Sequence, residues 1–263
     1  MRPEPPVYRG RRKGGDDYTT FIKVVGNAIK GGLNILTKRE WSGLEHIPLD
    51  GPAIFAANHY SHFDPLPLAH YVYNSGRHPH FLLKNSIVEV PVVGPIIKAT
   101  GQIPVYRGSR NAADSLRDAI AMLKDGGTVI IYPEGTTSKE PDRWPMRGKT
   151  GVARLALESG APVIPLTQWG SQALFDPLAE KGKLKLGFRK PVTVTAGPEI
   201  DLDRWRELEH PTNGDMQDMT DRVMEVVRDQ LAELRGVGDP PPLWDRANLK
   251  KTKKQTERKE GGQ

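Results

Sequence analysis

The sequence predicts an α/β fold: a single domain with a mixed, mostly parallel sheet flanked by helices, preceded by an amphipathic N-terminal helix. Three observations lead there. Short apolar runs of strand length recur between stretches with helical apolar spacing. Glycine and proline punctuate the joins between them. Polar residues able to do chemistry cluster just past the ends of the apolar runs, which is the edge where open α/β sheets bind ligands.

Composition bounds the reading. At 263 residues the chain is long enough for one sizeable domain. A net charge of +6 favours anionic partners: nucleic acid, phosphorylated small molecules or anionic lipid. The absence of cysteine excludes disulfides, thiolate catalysis and cysteine-based zinc sites, and fits a reducing compartment. Met1-Arg2-Pro3-Glu4-Pro5-Pro6 has no apolar core, which argues against a secretory signal. No apolar run reaches membrane-spanning length, so a peripheral location on the cytoplasmic side of a membrane is expected rather than a span.

Residues 1–16, with Arg9, Arg11, Arg12 and Lys13 among prolines and glycines, read as a disordered basic arm. Residues 17–39 form the first helix. Phe21, Ile22, Val25, Ile29, Leu33 and Leu36 fill one half of its wheel, and Lys23, Lys30 and Lys38 the other. That segregation suits a helix lying in a membrane interface, and equally one packed on its own domain. The α/β domain follows over residues 40–235. Residues 40–47 read as a strand, 53–57 as a buried strand, and 65–73 as a helix with Pro65 at its first position. Residues 81–84 read as a strand, 88–99 as helix and turn broken at Pro91 and Pro95, and 102–106 as a strand. The amphipathic helix at 111–124 is closed by Gly126-Gly127, and the buried strand 128–132 follows. Then come a helix at 150–158, a strand at 162–167, late strands at 183–188 and 192–196, and a long helix at 214–235. Residues 236–263, with Pro240-Pro241-Pro242 and a lysine run, read as a disordered basic tail.

The chain is organised around Asn58-His59-Tyr60-Ser61-His62-Phe63-Asp64-Pro65. His59 stands at the carboxyl end of a strand, and Asp64 at a helix mouth five residues on. A carboxylate folded back on one imidazole nitrogen leaves the other free as a general base near neutral pH. The same residues also suit a plainer arrangement, with Asp64 an N-cap and His59 a loop histidine. A metal held by His59, His62 and Asp64 is the weaker alternative, because no further ligand cluster completes a shell. Arg107, past the strand at 102–106, is a candidate phosphate clamp. Glu134, Gly135 and Thr136 follow the strand at 128–132 in a tight, hydrogen-bonding loop. Arg147 and Lys149 precede a helix start, where anions are favoured.

Four blocks stand in one order: Asn58 to Pro65, Gly101 to Arg107, Tyr132 to Ser138, and Val163 to Pro165. In order and spacing they resemble the glycerolipid acyltransferase family of the acylglycerol-phosphate type, over about residues 40–200. The resemblance implies the glycerol-phosphate acyltransferase-like fold and transfer of an acyl group from an acyl thioester to a lysophospholipid hydroxyl. The acceptor it favours is 1-acylglycerol-3-phosphate, giving phosphatidic acid in phospholipid biosynthesis. It implies His59 as general base, Asp64 as its orienting partner, Arg107 on the acceptor's phosphate, Glu134, Gly135 and Thr136 around the acceptor, and Pro165 on the acyl-donor side. No metal, cofactor or acyl-enzyme is implied, and acyl-CoA or an acyl-carrier protein serves as co-substrate. The family often carries Arg where this chain has Thr137, and Arg147 and Lys149 are candidates to replace it.

Other readings stay open. One is another lysolipid or a lipid-linked sugar as acceptor. A non-catalytic lipid-binding relative would keep the fold without needing both His59 and Asp64. A nucleic-acid-binding module fits the basic ends, but stacking aromatics and a helix-in-groove pattern are missing, so no nucleic-acid partner is expected. The expected partners are the lysophospholipid, the acyl thioester and an anionic membrane surface.

Overall fold

The computed structural model describes residues 20–91, 93–105, 112–178 and 188–245. Strands and helices are numbered in chain order. The central strand is β2 (Ala53–Ala57), parallel to β5 (Thr128–Ile131) on one side and to β6 (Val163–Trp169) on the other. β7 (Lys190–Ala196) runs antiparallel to β6, and β1 (Thr37–Ser42) lies parallel to β7. The sheet order is β1-β7-β6-β2-β5. A parallel pair, β3 (Leu82–Lys84) and β4 (Ile103–Val105), meets the β5 edge through a bridge between Phe81 and Ile130. This is the mixed, mostly parallel sheet that the sequence predicts.

The side-chain period of two explains the layers. Ala53, Phe55 and Ala57 of β2 face α1 (Thr20–Leu36) and α2 (Pro65–Asn74), joining Leu33, Leu68, Tyr71 and Val72 in one core. Ile54 and Ala56 face the other way, into a core with α4 (Ala112–Lys124), α5 (Gly151–Ser159) and α7 (Asn213–Arg235). A strand covered on both faces must be apolar throughout, and all five residues of β2 are buried. α7 begins with a reciprocal capping box between Thr212 and Asp215 and stops at Gly236 in the left-handed region.

Several boundaries differ from the sequence reading. The strand expected at 40–47 begins at Thr37 and ends at Ser42. Gly43 then turns the chain at φ 71° so close to β7 that an added Cβ would meet the Ala196 carbonyl oxygen at 1.9 Å. The first helix ends at Leu36, where Thr37 enters the sheet and its hydroxyl bonds the Leu33 carbonyl. Pro95 does not break the segment at 88–99. It sits in the first turn of α3 (Val93–Ala99), where no helical donor is lost. A short helix, α6 (Asp203–Arg206), was not foreseen. The tail drawn from Gly236 is placed as far as Asp245, with Trp244 bridged to Met146. The basic arm at 1–16, Arg107, most of the strand expected at 183–188 and the lysine run of the tail lie outside the described residues. Among the described residues no helix is long and apolar enough to cross a membrane.

Candidate active site

The end of β2 delivers Asn58, whose buried amide pairs with β6 as a peptide would. Its Nδ2 donates to the Gln168 carbonyl at 3.0 Å and its Oδ1 accepts from the Gln168 N–H at 2.9 Å. This fixes where the chain leaves the sheet. His59 follows and is gripped by the loop after β5 on both sides of its peptide. Its N–H donates to Glu134 Oε1 at 2.9 Å, and its carbonyl accepts from the Ser138 N–H at 2.6 Å. Its ring lies on that of Tyr132, centroids 4.1 Å apart and planes 18° from parallel.

Asp64 stands at the N-cap position of α2, with Pro65 inside the first turn, but its side chain makes no capping bond. It turns back instead. Oδ2 accepts from the Tyr60 and Ser61 N–H groups, each at 2.7 Å, and lies 2.9 Å from His59 Nδ1. The plainer arrangement of an N-cap beside a loop histidine is therefore not the one formed. With Nδ1–H held by a fully buried carboxylate, Nε2 is the nitrogen left to take a proton. Burial, and after it the Asp64 charge, push the Tyr60 and Tyr132 hydroxyl pKa values well up, so both stay neutral beside the pair.

His59 opens onto a cavity of about 780 Å³, within the range of about 300–1,000 Å³ usual for ligand pockets. Its wall is mostly aliphatic. α1 gives Ile22, Val25 and Ile29, α2 gives Leu66 and Ala69, and the chain from β3 to α3 gives Leu83, Ile87, Ile96 and Ile97. Three other histidines line the cavity, and their surroundings disfavour the charged form. Burial holds His70 down at about 4, helped by Arg39 and Lys30, and His78 down at about 3, helped by His80. Burial, then the charges of His59 and Lys139, lower His62 as well. Among the described residues no group of three or more His, Asp or Glu side chains could hold a metal ion.

The other predicted site residues divide. Gly135 and Thr136 line the cavity. Glu134 does not: its carboxylate is fully buried and bridges the His59 N–H to the Met146 N–H, the latter at 3.0 Å. It shapes the site from behind. Lys149 lies beside Gly135, where an added Cβ would be 3.6 Å from its Nζ. Arg147 faces α7, where it pairs with Asp221 and reaches Asp245 at 4.0 Å, and it is absent from the cavity lining. Pro165 is buried in the sheet opposite Ala56, also away from the lining. Arg107 falls outside the described residues. The sequence reading missed the stacking role of Tyr132 and the whole wall from Leu82 to Ile97. The paired isoleucines Ile96-Ile97, following apolar Val88, Val90 and Val93, were the available signal.

A histidine base oriented by a carboxylate and lining a mostly apolar cavity is equipped to deprotonate a hydroxyl on a lipid-like substrate. Comparison with known proteins agrees in kind. The acyltransferase family profile matches residues 38–169, half of the chain, and the chain belongs to that family. A chloroplastic 1-acyl-sn-glycerol-3-phosphate acyltransferase of Brassica napus is 32% identical over 152 residues, 57% of this chain and 42% of that protein. The enzyme of the same name from Borreliella burgdorferi is 30% identical over 135 residues, 51% of this chain and 52% of its own length. The chain thus spans about half the length of these curated relatives. The crystal structure of the 1-acyl-sn-glycerophosphate acyltransferase from Thermotoga maritima superposes with a TM-score of 0.63 at 25% identity, covering 82% of this chain and 80% of that one.

Proposed function

We propose that this chain transfers a fatty acyl group from an acyl thioester to the free hydroxyl of 1-acylglycerol-3-phosphate, forming phosphatidic acid. The observation that carries the reading is the 2.9 Å contact of His59 Nδ1 with buried Asp64, in the lining of a mostly apolar cavity. The names of the relatives supply the acceptor.

The acceptor hydroxyl is a poor nucleophile until its proton is removed. His59 Nε2 takes that proton as the oxygen attacks the thioester carbonyl carbon, and Asp64 stabilises the imidazolium that forms. Collapse of the tetrahedral adduct breaks the carbon–sulfur bond, and the departing thiolate takes the proton back from His59. An ester and a free thiol result, with no net proton change in the enzyme. The cavity takes the acyl chain, and Lys149 beside Gly135 attracts the acceptor's phosphate. Acyl-CoA or an acyl-carrier protein is the donor. α1 lies on an anionic membrane surface as a peripheral contact, on the cytoplasmic side.

The absence of cysteine gives a direct assay. Released thiol is read with a thiol-reactive dye in a protein that contributes no background. Thiol release from oleoyl-CoA that needs both lysophosphatidic acid and His59 is the expected result. Release that persists in His59→Ala would remove the base from its role.

A further inference from the structure

The rim of the cavity is made of residues that belong to two surfaces at once. Ile87, Val90 and Val93, spaced by three, are 39%, 43% and 42% exposed, and Ile87 and Val93 also line the cavity. Ile29 of α1 and Leu66 of α2 are likewise both exposed and lining. Aliphatic side chains are therefore shared between the outside of the molecule and the cavity. Scattered exposed aliphatic residues are ordinary, but a cluster continuous with a binding cavity marks an interaction face.

The charge around this rim is net positive. Exposed Lys84 and Lys98 flank the segment, with Glu89 the one acid between them. α1 carries Lys23 and Lys30 and no acid over Thr20–Leu36. The segment is also firmly built. The Gly94 N–H donates to the Val90 carbonyl at 2.8 Å, and an added Cβ at Gly94 would meet the Val88 carbonyl oxygen at 2.0 Å. Only glycine lets α3 fold this tightly on the turn before it, which fixes Val90 and Val93 outward.

We propose that residues 84–91 together with α3 form a second membrane-contacting element. Together with α1 it seats the cavity mouth on an anionic lipid bilayer. Aliphatic tips flanked by lysines suit acyl chains beneath anionic headgroups. An acidic carrier protein would call for more cations and fewer exposed valines. The inference rests on the acyltransferase reading for the choice of lipid as partner. With the mouth so placed, an acceptor reaches His59 by sliding from the bilayer without crossing water.

The test is co-sedimentation of the full chain with phosphatidylcholine vesicles, with and without phosphatidylglycerol. Val90→Asp changes an exposed residue outside the cavity lining. It is expected to weaken vesicle partitioning by about 10-fold, while Lys98→Glu acts only when phosphatidylglycerol is present and fades with salt. Both variants should keep the wild-type melting temperature and thiol release with a water-soluble short-chain acceptor. Wild-type partitioning by Val90→Asp alongside its loss in Val24→Asp would give the whole contact to α1 and overturn the proposal. So would a wild-type chain that ignores vesicles, or a Val90→Asp defect seen only with an acyl-carrier protein. Thiol release separates the two readings. If it is intact while the vesicle result fails, only the membrane seat falls, and if it is absent while vesicles bind normally, only the acyl-transfer reading falls.

Discussion

The turn that carries His59 and the wall that faces it are built on opposite principles. In the turn, side chains and peptides are tied together: Asn58 to Gln168, the His59 peptide to Glu134 and Ser138, and Asp64 to two N–H groups and an imidazole. In the wall, from α1 across to α3, the lining is mostly aliphatic, with hydrogen-bonding side chains such as Lys30, on Asn74, and Gln102, on the Phe81 N–H, set among it. The difference teaches what each part must specify. Proton transfer fails if the base is displaced by about 1 Å, so its position is determined several times over. An acyl chain needs only apolar volume, which loosely directed packing supplies.

The largest expected effect breaks the turn's chemistry without touching the wall. His59→Ala should lower kcat by about 10²–10⁴-fold, the usual contribution of a general base, with little change in melting temperature. Asp64→Asn should also lower kcat, because it removes the charge that balances the imidazolium. Wild-type turnover in Asp64→Asn would reduce Asp64 to a turn staple.

Next comes the support behind the turn. Glu134→Ala strands two N–H groups, of half-buried His59 and buried Met146. At about 1–3 kcal/mol for each orphaned donor, stability should fall by about 2–6 kcal/mol in urea unfolding. A loss under about 1 kcal/mol would mean that the loop re-pairs easily, and that the turn is less tightly determined than its contacts indicate.

A third test sharpens the comparison from the wall side. His70 and His78 are held down at about 4 and about 3, both mainly by burial. Their folded pKa values lie below the unfolded value of about 6.5, so the unfolded chain binds more protons in between. Their contribution is complete above about pH 6.5. As pH falls it is lost at about 1.4 kcal/mol per pH unit for each histidine, until each folded pKa is reached. Replacing both histidines with glutamine should flatten the fall in unfolding free energy between pH 6.5 and 4. An unchanged slope would show that other groups govern acid stability.

The two regions were not equally legible in the sequence. β2 and β5 are covered on both faces, so their short apolar runs announce themselves. The spacing of His59 and Asp64 also stood out, but it suited either an N-cap or a carboxylate turned back. Only the tertiary path, with Asn58 pinned to β6, decides between them. β1 was misjudged because an edge strand reading Thr-Lys-Arg-Glu-Trp-Ser buries only its first residue fully and shows no apolar alternation. The wall from Leu82 to Ile97 was hidden by its prolines, which the structure accommodates in a turn and in the first turn of α3. Pro165 and Arg147 stand close to the motifs in sequence, yet the sheet buries one and α7 engages the other.

The smallest effect concerns the cations after the turn, where the sequence treats Arg147 and Lys149 alike and the structure does not. The Arg147 guanidinium is engaged by Asp221, whose hydrogen bond and charge push its pKa further up, and the Arg147 backbone N–H donates to the Trp244 carbonyl. Lys149 is anchored by its own N–H to the Pro133 carbonyl at 2.9 Å, and its side chain, though not part of the cavity lining, runs beside the lining residue Gly135. Lys149→Ala should raise KM for lysophosphatidic acid several-fold with kcat little changed, the pattern of a lost binding contact. Arg147→Ala should leave KM unchanged and cost at most about 1 kcal/mol of stability, as expected for a half-exposed ion pair. Equal rises in KM for both variants would mean that Arg147 leaves Asp221 when the acceptor arrives, and that the anion site extends along the face of α7. With KM unmoved in both, phosphate recognition would pass to residues other than this pair.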